Sequence, residues 1–291
     1  MSRILLTGAK GQVGSEVEEK LLFLGYSVIS CGHDDLDIGN EKAVTSMFES
    51  VDFDLVINCA AYTAVDKAED ENALCYEVNA LGAKNLALGC RAKNIPLIHI
   101  STDYVYDNSL PGFHKEDETP NTRCVYGRTK LFGERFISDS GCNAVILRAS
   151  WIFGRYGRNF VKTMARLAKD RDELTVVSDE RGNPTPARAL SDAVCSIAKM
   201  ILSGDFTRYG TYNFCGVRDI FRNEFAQYIV DKALELGLID HKVRVNAITS
   251  AEYGAKAVRP LDSRMSTELF ENTFGIRAPL WSDYIEETLR G

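Results

Sequence analysis

Apolar and polar positions along the first half of the chain switch regularly between two periods. Arg3-Ile-Leu-Leu-Thr7 is a short continuous apolar run, the pattern of a strand buried on both faces of a parallel sheet. A helical pattern over Glu16–Leu24 follows, Gly25 ends it, and Tyr26–Cys31 reads as a second strand. The alternation continues with a helix over Ala43–Phe48, a strand over Leu55–Cys59 and one or two helices over Glu69–Ala92. A strand over Leu97–Ser101, a helix over Val125–Ile137 and a strand over Asn143–Arg148 complete it. Strands alternating with helices predict an α/β fold of the Rossmann type, a doubly wound parallel sheet covered on both faces. Ligands of such a sheet sit outside the carboxyl ends of its strands. The polar segment Asp107–Arg123, broken by Pro111, Gly112 and Pro120, reads as an exposed loop over those ends.

After Ser150 the pattern breaks. Trp151–Phe160 is aromatic and Gly-rich, and shorter elements follow: helices over Phe160–Lys169, Arg188–Leu202 and Asn223–Leu236, strands over Leu174–Val177, Gly210–Phe214 and Val243–Ile248, and a terminal helix over Leu280–Leu289. The expected organisation is a dinucleotide-binding domain over residues 1–150 and a smaller mixed α/β lobe over 151–291 that binds substrate, with helix 188–202 packing back on the first domain.

The net charge of −7 leaves no basic footprint, so nucleic acid is not an expected partner, although a local Arg cluster could still hold an anionic ligand. The chain opens directly into an apolar strand without a basic leader, and no run has the length to span a bilayer. A cytoplasmic protein is expected, with no membrane partner. Eight scattered cysteines without a Cys-x-x-Cys read as reduced, mostly buried residues. The four histidines show no ligand spacing, and no metal is expected from them.

Three stretches carry candidate chemistry. Gly8, Gly11 and Gly14 stand between the first strand and the first helix. Gly8 allows the sharp turn, Gly11 lets backbone approach a diphosphate, and Gly14 permits close helix–strand packing. The helix N-terminus then offers free N–H groups to the phosphates. Ala60-Ala61-Tyr62-Thr63 at the end of the third strand would let a cofactor lie on the backbone, or serve tight strand–helix packing. Tyr126 and Lys130, four residues apart on one helix, share a face. An ammonium beside a phenol lowers its pKa and prepares it for proton transfer to a carbonyl oxygen, but the spacing also arises by chance on solvated helices.

The Gly8/Gly11/Gly14 loop, Thr102-Asp103 at a strand end and Tyr126-x-x-x-Lys130 together resemble an extended short-chain dehydrogenase/reductase. Gly11-Gln-Val-Gly14, the run Ala60-Ala-Tyr-Thr-Ala-Val-Asp-Lys-Ala-Glu69, Ser101-Thr-Asp-Tyr-Val-Tyr106, Asn159–Met164 and Arg259-Pro260 narrow the resemblance to members that reduce a dTDP-linked 4-keto-6-deoxy sugar. It implies hydride transfer from a nicotinamide to carbon 4 of that sugar. Tyr126 would donate the proton, Lys130 would lower the Tyr126 pKa and hold the nicotinamide ribose, and Thr102 would bond the reacting oxygen.

By the same resemblance, cofactor contacts are implied for Gly8, Gly11, Gln12, Val13, Asp37, Ile38, Ala60, Ala61, Tyr62 and Thr63, with Tyr126 and Lys130. Substrate contacts are implied for Thr102, Asp103, Tyr104 and Trp151, with Arg259 as the cation for the diphosphate. Trp151 could instead be core between lobes, Asp37 a helix N-cap, and Arg259 a surface residue.

Gly32 stands where an acidic residue usually binds the adenosine ribose, which permits NADPH; Asp34 and Asp35 lie close, so NADH stays open. Glu16 and Asp192 match positions that hold a metal between the subunits of some members. Arg188 replaces a further carboxylate there, so no metal is expected and a homodimer is left open. The alternatives are a reductase of a sister dTDP-4-keto sugar and a non-catalytic NAD(P)-binding regulatory subunit; the intact Thr102, Tyr126 and Lys130 favour the enzyme.

Overall fold

In the computed structural model, which describes residues 2–106 and 111–291, six parallel strands form one sheet. In chain order the main elements are β1 (Arg3–Thr7), α1 (Gln12–Phe23), β2 (Ser27–Cys31), α2 (Glu41–Ser50), β3 (Leu55–Asn58) and α3 (Gly82–Lys93). Next come β4 (Leu97–Thr102), α4 (Val125–Asp139), β5 (Ala144–Ala149), α5 (Phe160–Ala168) and β6 (Glu173–Val177). The last are α6 (Ala187–Leu202), β7 (Gly210–Asn213), α7 (Arg222–Glu235) and β8 (Arg244–Ile248). The sheet order is β7-β5-β4-β3-β1-β2. Ile4 of β1 lies between Val28 of β2 and Leu55 of β3. The chain therefore leaves β1 in one direction and returns on its other side, which opens a crevice at the carboxyl ends of β1 and β3.

The strand expected over Gly210–Phe214 belongs not to the smaller lobe but to the edge of this sheet, where β7 pairs with β5 and Tyr212 faces Leu147. A four-residue strand carries no record of its partner. Its place follows from Tyr212 and Phe214, which pack on Phe270 and Phe274 beside the sheet. Helix α6 puts Leu190, Ala193, Val194 and Ile197 into one core with Val13, Val17 and Leu21 of α1. The remaining elements surround a second core of Val161, Met164, Phe225, Ile229, Trp281 and Ile285, beside the parallel pair β6–β8.

Of the loop expected over Asp107–Arg123, residues 107–110 lie outside the described residues. The rest is less exposed than expected. His114 is buried and stacks on Tyr106, and Gly112 N–H donates to Asp262 Oδ2 at 3.1 Å, so the loop is tied to the C-terminal segment. All eight cysteines are free thiols. Among the described residues no helix is long and apolar enough to cross a membrane.

Helix α4 is fastened to the sheet by a buried ion pair. Arg148 on β5 donates to Glu134 on α4 through Nη2 at 2.7 Å and Nε at 3.1 Å. Ser101 Oγ donates to the same carboxylate at 2.5 Å, and Arg148 Nη1 donates to Tyr106 Oη at 2.8 Å. Removing one partner strands a buried charge. Glu134→Ala is expected to lower unfolding free energy by about 3–5 kcal/mol in denaturant titrations. A loss near zero would show that the pair does not anchor the helix.

Candidate active site

The crevice at the strand ends holds a cavity of about 550 Å³. One wall is the turn after β1. Gly8 has φ +70°, and a Cβ there would collide with the Ala60 backbone nitrogen, so only glycine lets this turn lie on the end of β3. Gly11 N–H donates back to Gly8 O at 3.0 Å and begins α1 with no side chain capping it and no acidic residue in its first turn. The free N–H groups of that turn, with Gly11, Gln12 and Val13, border the cavity. Gln12 also bridges the lobes, donating to Ile152 O at 3.1 Å and accepting from Asn159 Nδ2 at 2.8 Å.

The end of β3 makes the facing wall. Ala61 and Thr63 line the cavity, while Ala60 supports the Gly8 turn. Tyr62 points its hydroxyl elsewhere: Oη donates to Glu71 Oε2 at 2.5 Å, which pushes its pKa up to about 12. The Tyr62 backbone is clamped on both sides by buried Asn79, whose Oδ1 accepts from Tyr62 N–H at 2.8 Å while Nδ2 donates to Tyr62 O at 3.1 Å. Asn79 sits in a π-helical turn, Glu77–Leu81, just before α3.

Asp37 and Ile38 do not reach the cavity. Asp37 Oδ1 closes its own turn by accepting from Gly39 N–H at 3.0 Å, and Ile38 is buried against Gly82. Nor does Asp37 cap α2; Asn40 does, accepting from Ala43 N–H at 3.2 Å. At the end of β2 the Lys10 stem lies across Gly32, and its ammonium pairs with Asp35 at 3.2 Å. Lys10 gave no motif in the sequence because its place depends on two turns meeting.

Helix α4 brings in the Tyr–Lys pair. Its first N–H groups are satisfied by Glu69 Oε1, which accepts from Val125 N–H at 2.8 Å, and by Cys124 Sγ, which accepts from Gly127 N–H at 3.3 Å. Gly127 has no room for a Cβ, which would strike Tyr104 O. The helix thus approaches the exit of β4 closely enough to set Tyr126 beside Thr102 on the cavity wall, with the Tyr104 ring edge-on at 5.3 Å.

Lys130, one turn later, is only 1% exposed. Its Nζ donates to Ile100 O at 2.6 Å and lies 3.2 Å from His99 Nε2. Burial pulls its pKa down to about 8. The Tyr126 phenol is pushed up, not down, because burial outweighs the influence of the neighbouring Thr102 hydroxyl. The expected lowering by Lys130 is therefore absent: the lysine points its proton donors at β4 and not at the phenol.

On the substrate side, Asp103 and Tyr104 line the cavity beside Thr102. Thr102 Oγ1 donates to Asp103 Oδ1 at 3.0 Å, while buried Asp103 Oδ2 has no partner. Burial raises the Asp103 pKa to about 6. Trp151 also lines the cavity, in the left-handed region at φ +46°, where a bulky residue is strained. The guanidinium of Arg222 stacks on its ring at 3.5 Å from the centroid and pairs with Glu180 at 3.4 Å. Arg259 does not border the cavity. It pairs with Asp66, donating from Nη2 at 2.6 Å and Nη1 at 3.1 Å, because Asp66 in the long Ala60–Glu69 run faces the C-terminal segment. Arg222, behind Trp151, is a cation in electrostatic reach of Tyr104 and Asp103, and an isolated Arg at the start of a helix gave no signal of it.

Glycine loop, helix N-terminus, Tyr126, Lys130 and Thr102 thus meet on one cavity. The family model described as the RmlD substrate binding domain matches residues 1–291. The chain belongs to this family. Among similar proteins, a dTDP-4-dehydrorhamnose reductase of Aggregatibacter actinomycetemcomitans is 40% identical over 97% of this chain and 96% of its own. The spore coat polysaccharide biosynthesis protein SpsK of Bacillus subtilis is 34% identical over 100% and 98%. The crystal structure of a dTDP-4-dehydrorhamnose reductase from Bacillus anthracis in complex with NADP superimposes with a TM-score of 0.90, at 35% identity and 99% coverage of both chains. The resemblance seen in the motifs extends over the whole chain.

The Asp103 carboxyl supplies a test of the buried wall. A carboxyl raised from 3.8 to about 6 stabilises the fold fully only below its unfolded pKa, and that contribution is lost as pH rises through about 6. Asp103→Asn is therefore expected to unfold about 2–3 kcal/mol less readily than the parent at about pH 8, with the gap closing toward about pH 4. Denaturant titrations at both pH values measure it; an equal gap at both would show that Asp103 does not titrate in a buried environment.

Proposed function

We propose that this chain reduces the 4-keto group of dTDP-4-dehydro-L-rhamnose to the alcohol with NADPH, the final reduction of dTDP-L-rhamnose synthesis. The observation that carries the proposal is the convergence of the uncapped α1 N-terminus with Tyr126, Thr102 and Lys130 on one cavity. The names of its relatives support the same reaction.

The residues present fit a dinucleotide. Gly11, Gln12 and Val13 would hold its diphosphate with backbone N–H groups, and Ala61 and Thr63 would face its middle. Lys130 would hold the nicotinamide ribose hydroxyls. When bound, NADPH supplies the hydride. Tyr126 Oη gives its proton to the ketone oxygen as that oxygen gains charge, and its raised pKa keeps the phenol protonated until then. Thr102 Oγ1 adds a hydrogen bond that strengthens as the alkoxide forms. Asp103 Oδ2, buried without a partner, accepts from a sugar hydroxyl, and Trp151, stiffened by Arg222, covers the ring.

Eight free thiols accord with a reducing, cytoplasmic setting. A dimer of this chain would form without a bridging metal. Arg155 Nη2 pairs with Glu16 at 2.9 Å and Glu19 at 2.7 Å, and Lys20 holds Asp192 at 2.7 Å, so these carboxylates already have cations.

Oxidation of NADPH on addition of dTDP-4-dehydro-L-rhamnose, followed by absorbance, tests the reaction directly. Tyr126→Phe should lower kcat at least about a hundredfold while cofactor affinity stays nearly constant. Cofactor binding without oxidation in the parent protein would sink the enzymatic proposal and favour a regulatory subunit.

Lys10 over Gly32 is the group placed to meet a 2′-phosphate. Lys10→Glu should raise the KM for NADPH about tenfold or more and leave that for NADH almost unchanged, as expected for loss of one phosphate partner. Equal changes for both cofactors would remove Lys10 from 2′-phosphate recognition.

A further inference from the structure

Beneath the Tyr126–Lys130 pair lies a buried chain of polar groups that the reaction as described does not use. Thr7 Oγ1 donates to Asn58 Oδ1 at 2.8 Å, and Ala60 N–H donates to the same oxygen at 3.0 Å. Asn58 Nδ2 lies 2.9 Å from His99 Nδ1, and His99 Nε2 lies 3.2 Å from Lys130 Nζ. Asn58 and His99 are each 1% exposed.

Hydrogen-bond logic fixes the direction of this chain. A backbone N–H can only donate, so the Asn58 atom facing Ala60 must be the carbonyl oxygen. The amide nitrogen therefore faces His99 and donates, and His99 Nδ1 must accept. A neutral imidazole that accepts at Nδ1 carries its proton on Nε2. Burial and the neighbouring Lys130 hold the His99 pKa well below its usual value, so the ring is neutral. Its Nε2–H then points at Lys130 Nζ. A protonated Lys130 meets this group donor against donor; a neutral amine accepts from it and still donates to Ile100 O, 2.6 Å away.

We propose that the Asn58–His99 pair is a positioning device that governs whether Lys130 is held as an ammonium or as an amine. The other titratable and charged groups around Lys130 do not oppose this. Glu134 on the same helix favours the ammonium, but its carboxylate is occupied by Arg148 and Ser101. Cys59 at the end of β3 is held as a neutral thiol by burial, and Cys75, in the helical turn Asn72–Tyr76, is likewise raised. Tyr126, one turn earlier, is protonated. His99 is thus the polar neighbour whose hydrogen-bonding polarity decides the state of the lysine. Burial lowers the Lys130 pKa to about 8, so loss of its ammonium is the event expected to shape the alkaline limb of the pH profile.

This inference rests on Lys130 holding the cofactor ribose as a cation, and its test separates the two. In 15N-histidine-labelled protein, His99 should show a protonated Nε2 and an unprotonated Nδ1 by long-range 1H–15N correlation, whatever the protein catalyses. An Nδ1–H tautomer or an imidazolium would overturn the inference. Asn58→Asp keeps an acceptor for Ala60 N–H but offers His99 Nδ1 a second oxygen, which reverses the tautomer and turns Nε2 into an acceptor for the ammonium. The alkaline limb of kcat/KM for NADPH should then move up by about one pH unit, the worth of one exchanged hydrogen bond to a charged group. His99→Gln, which ends in an amide able to accept, should move it the same way and serves if Asn58→Asp does not fold. An alkaline limb unmoved in the folded variants would overturn the role of the pair, even with the tautomer as stated.

Discussion

The burial of Lys130 between α4 and β4 is the constraint on which the rest of the site depends. A lysine that is 1% exposed needs an acceptor within the fold, and Ile100 O, 2.6 Å from Nζ, is the carbonyl that provides one. To reach it, the helix must come almost into contact with the strand exit, which is why Gly127 cannot carry a Cβ. The helix must also be held at that distance. Glu69 caps its first turn, Asn79 bonds Thr129 Oγ1 at 3.2 Å across its middle, and Glu134 binds Arg148 on the sheet below. Each fastening sits on a different neighbour, so the Tyr126 hydroxyl arrives beside Thr102 with little freedom left.

The long Ala60–Glu69 run takes on meaning in this light. It is the most distinctive stretch of the sequence, yet only Ala61, Thr63 and Val65 border the cavity. Ala60 seats the Gly8 turn, Asp66 holds Arg259 of the C-terminal segment, and Glu69 caps the helix of Tyr126. One run thus joins the glycine turn, the smaller lobe and the helix of Tyr126, and most of its contacts serve assembly.

The parallel sheet, the glycine turn and the Tyr126–Lys130 face were legible because each is written in adjacent residues at a fixed period. The expected site residues that the cavity does not gather are tied up by partners distant in sequence or by local turns. Arg259 was read as the cation for the diphosphate, and its ion-pair partner Asp66 lies 193 positions away. Asp37 and Ile38 matched cofactor positions by order in the chain, and in the fold Asp37 closes an Asx turn while Ile38 packs against Gly82. Arg222, Asn79, Lys10 and His99 had no motif to mark them. Their roles come from a stacked ring, a clamped backbone, a turn crossing a glycine and a fixed tautomer, none of which is periodic.

Two buried ionisable groups on the cavity wall are displaced in opposite directions by the same cause. Burial raises Asp103 to about 6 and lowers Lys130 to about 8, since in each case it disfavours the charged form. Burial therefore narrows, from both sides, the pH range over which the carboxylate and the ammonium coexist. Below that interval Asp103 becomes a donor and can no longer accept from a sugar hydroxyl through both oxygens. Above it Lys130 loses the charge that would hold the cofactor. The burial that keeps the Tyr126 phenol protonated is the same burial that narrows this interval, so on the proposed mechanism proton delivery and a limited pH range would arise from one property of the wall.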